Sequence, residues 1–174
     1  MTSAAQIKGF GFFLGAALMT VAGHADVVKV DPPTELTPMT VSAALTQAGA
    51  RPGETVMVTI AVRLLPGWHT YAVVPPEEPY IQTKWILEPG AGVTAEGDWL
   101  APPATPDPEN PKLMLYQSQK DPLVFLHDLR VADDAKGEIT VRAGVLFQTC
   151  DASRCLPPER KVFDLKLKVA PASP

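Results

Sequence analysis

Cysteine is scarce in this chain: Cys150 and Cys155 are the only two among 174 residues. Long helical periodicity is absent, so a helical bundle is excluded. No basic stripe breaks a formal net charge of −4, which excludes a conventional nucleic-acid binder. There is no Ser/His/Asp arrangement and no nucleophile motif, so a conventional hydrolase is not expected. Met39, Met57 and Met114 are scattered, and no dense Met/His/Cys motif occurs. Cys150, Cys155 and His69 form the one soft donor set available for Cu(I). Neither a metal nor any other cofactor is expected. No internal repeat is visible, and low complexity is confined to one proline-rich loop.

The amino terminus has a different character. Lys8 precedes an apolar run from Gly9 to Val21, followed by Ala22-Gly23-His24-Ala25. A charged start, a short apolar middle and a small-residue exit describe a secretory leader cleaved after Ala25. The run is too short for a spanning helix, which needs roughly 20 residues. No Cys follows it, so a lipid-modified terminus is not expected. The mature chain, Asp26 to Pro174, has a length suited to one domain. It contains no second stretch able to cross a bilayer and is expected to be a soluble periplasmic protein.

Strand signals then recur. Asp31 to Pro38 reads as an extended lead-in, and Arg51-Pro52-Gly53-Glu54 as a turn. Val56, Val58, Ile60, Val62 and Leu64 alternate with more polar neighbours, the period of a strand with one buried face. Trp68 to Val74, Trp85 to Leu87 and Leu123 to Val131 are shorter or less regular strand candidates. Ile139, Val141, Ala143, Val145 and Phe147 share one face. Phe163, Leu165, Leu167 and Val169 share another, opposite Asp164, Lys166 and Lys168. Ala101 to Pro111 carries five prolines and reads as a surface loop. Six or more short strands without a helix predict an all-β, immunoglobulin-like sandwich.

The chemistry is concentrated in Phe147-Gln148-Thr149-Cys150-Asp151-Ala152-Ser153-Arg154-Cys155-Leu156-Pro157-Pro158-Glu159. Four residues between two cysteines make a hairpin-sized loop whose ends can reach disulfide distance. Such a short loop contributes only about 2 kcal/mol as a staple, and a domain this long does not need one. Two readings are open: a structural disulfide that closes a hairpin, or a redox-active pair. If the strand runs unbroken, the inward odd positions 139 to 147 place Cys150 on the solvent side. Arg154 would favour a thiolate at Cys155, and Asp151 would oppose one at Cys150, provided these sequence neighbours are also neighbours in space.

The segment resembles the active-site hairpin of the amino-terminal domain of the thiol:disulfide interchange protein DsbD. That hairpin reads aromatic-Gln-x-Cys, a short loop, then Cys-aromatic or Leu-Pro-Pro. Pro66-Gly67-Trp68-His69-Thr70-Tyr71 is similar to the family's Gly-aromatic-x-x-Tyr strand, and Trp85 falls where the family often keeps a tryptophan. The resemblance implies an immunoglobulin-like domain and a protein-disulfide reductase role. Electrons would come from a thioredoxin-like module or a membrane thiol carrier and pass to periplasmic, thioredoxin-fold oxidoreductases. It implies that Cys155 forms mixed disulfides and that Cys150 resolves them, with no bound cofactor. Well-known members have five residues between the cysteines, whereas this chain has four. Multi-domain members continue into a membrane electron carrier and a thioredoxin-like domain, so this domain is expected to depend on partner chains. The family's cysteine-shielding cap corresponds to a segment within Ala101 to Gln119.

Other residues carry weaker expectations. His69 and Tyr71 share a strand face, and the resemblance puts them beside the cysteines, with Tyr116 a further candidate for lining the site. Trp68 and Trp85 are expected in the core. Glu77 and Glu78 read as solvated loop charges, and His127 as a strand residue without a role. The competing functional class is a binding module whose disulfide is purely structural.

Overall fold

The computed structural model describes residues 28–118 and 121–171. The expected leader, 1–25, lies outside the described residues. The described chain forms eleven strands: β1 (Met39–Leu45), β2 (Gly49–Ala50), β3 (Thr55–Leu64), β4 (Thr70–Val73), β5 (Lys84–Glu88), β6 (Val93–Leu100), β7 (Thr105–Pro106), β8 (Met114–Tyr116), β9 (Leu123–Val131), β10 (Gly137–Phe147) and β11 (Glu159–Val169). No helix occurs among the described residues, and so none that is long and apolar enough to cross a membrane.

Two four-stranded sheets, in the orders β1-β3-β9-β6 and β2-β11-β10-β5, make an all-β, immunoglobulin-like sandwich. Alternation in the sequence becomes burial here. Val56, Val58, Ile60 and Val62 of β3 face Val141, Ala143, Val145 and Phe147 of β10 in one core cluster. Ile60 pairs with Phe125 across the β3–β9 ladder. Trp85 lies with its ring centroid 3.8 Å from that of Phe125, on the edge of the same core. His127 is also buried, edge-on to Trp99. On the outer face of the second sheet, the Arg142 guanidinium reaches Glu88 and Asp164, both at 3.1 Å. These pairs are exposed and worth at most about 1 kcal/mol each. They do mark which side of β10 is wet.

Gly144 is the tight point of the second sheet. A Cβ there would lie 2.1 Å from the Lys161 carbonyl oxygen and 2.8 Å from the Val162 Cα. Both obstacles are backbone, so no rotamer change relieves them. Gly144→Ala is expected to cost about 3 kcal/mol, the upper part of the overpacking range. The check is the urea midpoint, which should fall without a change in slope.

A third, smaller sheet has the order β4-β8-β7. Its β4 lies within the strand expected over Trp68 to Val74, whereas β7 falls inside the expected loop, Ala101 to Pro111, and β8 follows just after it. Pro106 ends β7 at the sheet edge, where a missing N–H is tolerated. The β7–β8 hairpin is tied back at its tip. Asn110 Nδ2 donates to Glu78 Oε1 (2.7 Å), and Lys112 Nζ lies 3.4 Å from Glu77 Oε1. Glu77 and Glu78 are therefore tethers for this hairpin rather than idle charges.

Candidate functional site

The cysteine loop starts where β10 stops. After Phe147 the chain leaves the second sheet, and the Gln148 side chain spans the gap. Its Oε1 accepts from the Ile81 N–H (3.1 Å), and its Nε2 donates to the Leu156 carbonyl (3.3 Å). The Leu156 N–H donates back to the Thr149 carbonyl at 2.9 Å. Cys150 then joins the chain just before β4. Its N–H donates to the His69 carbonyl (3.0 Å), and the His69 N–H donates to the Cys150 carbonyl (2.9 Å). Cys150 is thus held by a doubly hydrogen-bonded antiparallel pair, and it also bridges to Cys155.

Cys150 and Cys155 form a disulfide with their Cα atoms 4.0 Å apart. The two sulfur-bearing residues differ in environment. Cys150 is 1% exposed and packs with Tyr71, Leu113 and Leu115, whereas Cys155 is exposed. The expectation that Cys150 faces solvent is therefore corrected. Pleat parity holds only while a strand continues, and β10 ends at Phe147. Beyond that point the chain answers to the small sheet, which turns Cys150 inward.

Between the cysteines, Asp151 builds the turn. Its Oδ1 accepts from the Ser153 N–H (2.8 Å), the Ser153 hydroxyl (2.8 Å) and the Arg154 N–H (2.9 Å). These hydrogen bonds, those from Ser153 first, hold the Asp151 carboxyl below its ordinary value of 3.8, and the Arg154 charge adds to them. A carboxyl depressed in the folded loop supports it fully above about pH 3.8 and ceases to do so as pH falls through the folded value. On acidification below that range, the Ser153 and Arg154 amide resonances should move toward unstructured positions. In Asp151→Asn, which keeps one acceptor oxygen but cannot ionise, the same resonances should stay flat.

A cleft of about 510 Å³ opens beside the loop, lined by Cys155, Arg154, His69, Tyr71, Asp107 and Glu109 among others. His69 Nε2 and the Tyr71 hydroxyl are 3.3 Å apart. Tyr71 also stacks on Tyr80 at 4.7 Å. Burial lowers the His69 pKa, against the pull of Asp107 and Asp151. The ring is thereby biased to its neutral form at pH 7. Burial raises the Tyr71 pKa, with Tyr80, Asp107 and Glu78 adding to it, so the phenol keeps its proton. Asp107 and Glu109 belong to the hairpin tip, so the Ala101–Gln119 segment does reach the cleft that contains Cys155.

Tyr116 is placed elsewhere. It is not among the cleft's lining residues and packs edge-on against Phe125 at 5.0 Å and near Trp85. Trp68 is buried, as expected, and carries the Arg154 guanidinium 5.5 Å above its ring. Three contributors had no role in the sequence reading: Gln148 as a bridge, Asp151 as a turn-former and Tyr80 as a stacking partner. Asp-x-Ser is a recognisable turn signal for the second. Gln148 is marked only as a position of the aromatic-Gln-x-Cys motif, which does not reveal its bridging role, and nothing local marks Tyr80. Among the described residues, no group of three or more His, Cys, Asp or Glu side chains is arranged to hold a metal ion.

The family model for the amino-terminal domain of thiol:disulfide interchange protein DsbD matches residues 36–167. The chain belongs to this family. The match to the DsbD amino-terminal family takes in ten of the eleven strands entire and all but the last residues of β11, together with the whole cysteine loop. Among solved structures, the N-terminal periplasmic domain of ScsB from Proteus mirabilis aligns at 17% identity with a TM-score of 0.43, covering 81% of this chain and 50% of that one. The GAE domain of GGA2p from Saccharomyces cerevisiae aligns at 8% identity and the same TM-score of 0.43, covering 80% of this chain and 97% of that one. No curated protein sequence matches the chain.

Proposed function

We propose that this DsbD-family domain is a periplasmic thiol–disulfide exchange module. It takes electrons from a thioredoxin-like module or a membrane thiol carrier and passes them to periplasmic, thioredoxin-fold oxidoreductases. One observation carries the reading: the disulfide has one exposed end, Cys155, and one buried end, Cys150. Exchange proceeds by thiolate attack in line with an S–S bond. An incoming thiolate reaches Cys155, the Cys150–Cys155 bond breaks, and the Cys150 sulfur leaves with the electron pair. A mixed disulfide then joins Cys155 to the donor. The donor's second thiolate attacks its own half of that bond and releases Cys155 reduced. Running the same steps toward an oxidised partner delivers the two electrons onward. Cys155 is the exchanging residue and Cys150 the resolving one, while His69 and Tyr71 line the approach. The β7–β8 hairpin, with Asp107 and Glu109 on the cleft, narrows the approach to Cys155 while leaving it exposed. Export through a cleaved leader, Met1 to Ala25, puts the domain in the periplasm.

Equilibration with glutathione redox buffers tests the reading against a purely structural bond. A relay requires a reduction potential above about −300 mV, whereas a lower value indicates a staple resistant to the thiol pool.

A further inference from the structure

Arg154 is the one permanent cation among the side chains that line the cleft, and it is the residue next to Cys155. Its side chain is 60% exposed yet not loose. The guanidinium lies 5.5 Å above the ring of buried Trp68, and its Nε sits 3.6 Å from Asp151 Oδ2. Asp151 is itself fixed by the turn it builds. A planar cation seated on an aromatic face and held at one edge is pre-organised, so little rotamer freedom remains to be lost on docking. Among the described residues, its two terminal nitrogens donate no hydrogen bond, so that edge of the fork is open to a ligand. The hairpin contributes the opposite sign to the cleft lining through Asp107 and Glu109, and Asp151, which also lines it, meets Arg154 at the Nε edge only. His69 adds no competing cation at neutral pH, because burial lowers its pKa.

We infer that Arg154 is the partner-reading residue of this cleft: its seated guanidinium receives an acidic side chain adjacent to the reactive cysteine of the docking protein. The inference rests on the exchange reading above. The cleft is bipolar, with a cation beside Cys155 and carboxylates on the hairpin. It therefore favours one orientation of the partner's cysteine loop, the one that brings a carboxylate to Arg154. Complementary charges at such a rim act on choice of partner and on register more than on the sulfur chemistry.

The test uses the full reduced protein and two synthetic peptides, Gly-Asp-Cys-Gly and Gly-Lys-Cys-Gly. Each is supplied as its mixed disulfide with 2-thiopyridine. The Cys155 thiolate attacks the peptide sulfur, the peptide–pyridyl bond breaks, and pyridine-2-thione leaves with the electron pair and is read by absorbance. Cys150 then attacks Cys155, releasing the peptide thiolate and closing the protein disulfide. Each rate is divided by the same variant's rate with uncharged 2,2′-dithiodipyridine, which removes any change in thiolate content.

At low salt, the acidic-to-basic ratio of these normalised rates should fall about two- to fivefold in Arg154→Gln, the range of an exposed charge pair. It should fall further in Arg154→Glu. Lys166→Gln, an equal charge change on the outer face of the second sheet, should leave the ratio where it is. In half-molar salt the difference between wild type and Arg154→Gln should shrink through screening. A ratio that does not move in either Arg154 variant overturns the inference, as does a ratio that moves equally in Lys166→Gln. If reduced wild-type protein reacts with none of the three disulfides, the exchange reading itself fails, and that outcome is distinct from the other two.

Discussion

Cys150→Ser protein should accumulate a mixed disulfide through Cys155 when mixed with an oxidised thioredoxin-fold protein, and Cys155→Ser protein should not. The reason is access. Cys155 is exposed, whereas Cys150 is 1% exposed under Tyr71, Leu113 and Leu115. Its backbone is also locked by two hydrogen bonds to His69. A reagent reaches Cys150 only after this cluster opens locally. An opening cost of a few kcal/mol, at a factor of ten per 1.4 kcal/mol, slows it on the order of 100-fold. Alkylation of the fully reduced protein with iodoacetamide, followed by peptide mapping, should show that gap between the two thiols. Removing the hairpin tip, residues 107–112, should quicken alkylation of Cys155, because Asp107 and Glu109 line the same cleft. Equal rates at the two cysteines, or an equal yield of trapped complex from both serine variants, would remove the division of labour proposed for them.

The second large effect is on stability. Phe125→Ala should lower the free energy of unfolding by about 4 kcal/mol. Phe125 is 1% exposed, lies 3.8 Å from Trp85 and meets Tyr116 edge-on at 5.0 Å. Truncation removes the largest ring at the centre of the first sheet and leaves a cavity that strands on both sides cannot close. It also breaks two aromatic contacts, each worth roughly 0.5–1.5 kcal/mol beyond buried area. Against a total of about 5–15 kcal/mol for an ordinary domain, the loss is severe. The thermal midpoint should drop by about 10–15 °C for a chain of this size. A shift of only a degree or two would mean that this ring cluster is not the keystone its packing indicates.

Much of the sandwich could be read from residue order. β3 and β10 keep apolar residues at every second position over nine residues, Val56–Leu64 and Ile139–Phe147; β11 does so over seven, Phe163–Val169, and β9 with His127 as its one interruption, and in each strand the positions so marked are the more buried ones. β1 escaped notice because Met39-Thr40-Val41-Ser42-Ala43-Ala44-Leu45 places alanine on both faces, so the contrast between them is weak. β6 escaped for a different reason. It is an edge strand whose middle, Ala95 to Asp98, is exposed on both sides, and Gly97 with φ 74° interrupts its pairing with β9. β7 and β8 are too short to show a period; β8 is defined by its pairing with β4, and β7 by its pairing with β8.

The cysteine pair and its neighbours His69 and Tyr71 were legible through the motif. Their arrangement was not. Which sulfur is covered depends on the handover of the chain from one sheet to another after Phe147, a tertiary event with no local signature. Tyr116 shows the same limit. It follows Leu115, which lines the cleft, but the next position on a strand points to the opposite face, toward Phe125.

The two buried clusters have no residue in common. One fills the sandwich, and the other, Tyr71, Leu113, Leu115 and Cys150, sits beneath the cysteines. The covalent link closes a separation of only five residues, and the turn it encloses is also secured by Asp151 and Gln148. In the proposed exchange, opening the bond at the rim would therefore cost the fold no more than the roughly 2 kcal/mol of a short-loop staple, while the sandwich core stays packed. The reduced form is thus expected to remain folded, with any loosening confined to the small cluster beneath the cysteines.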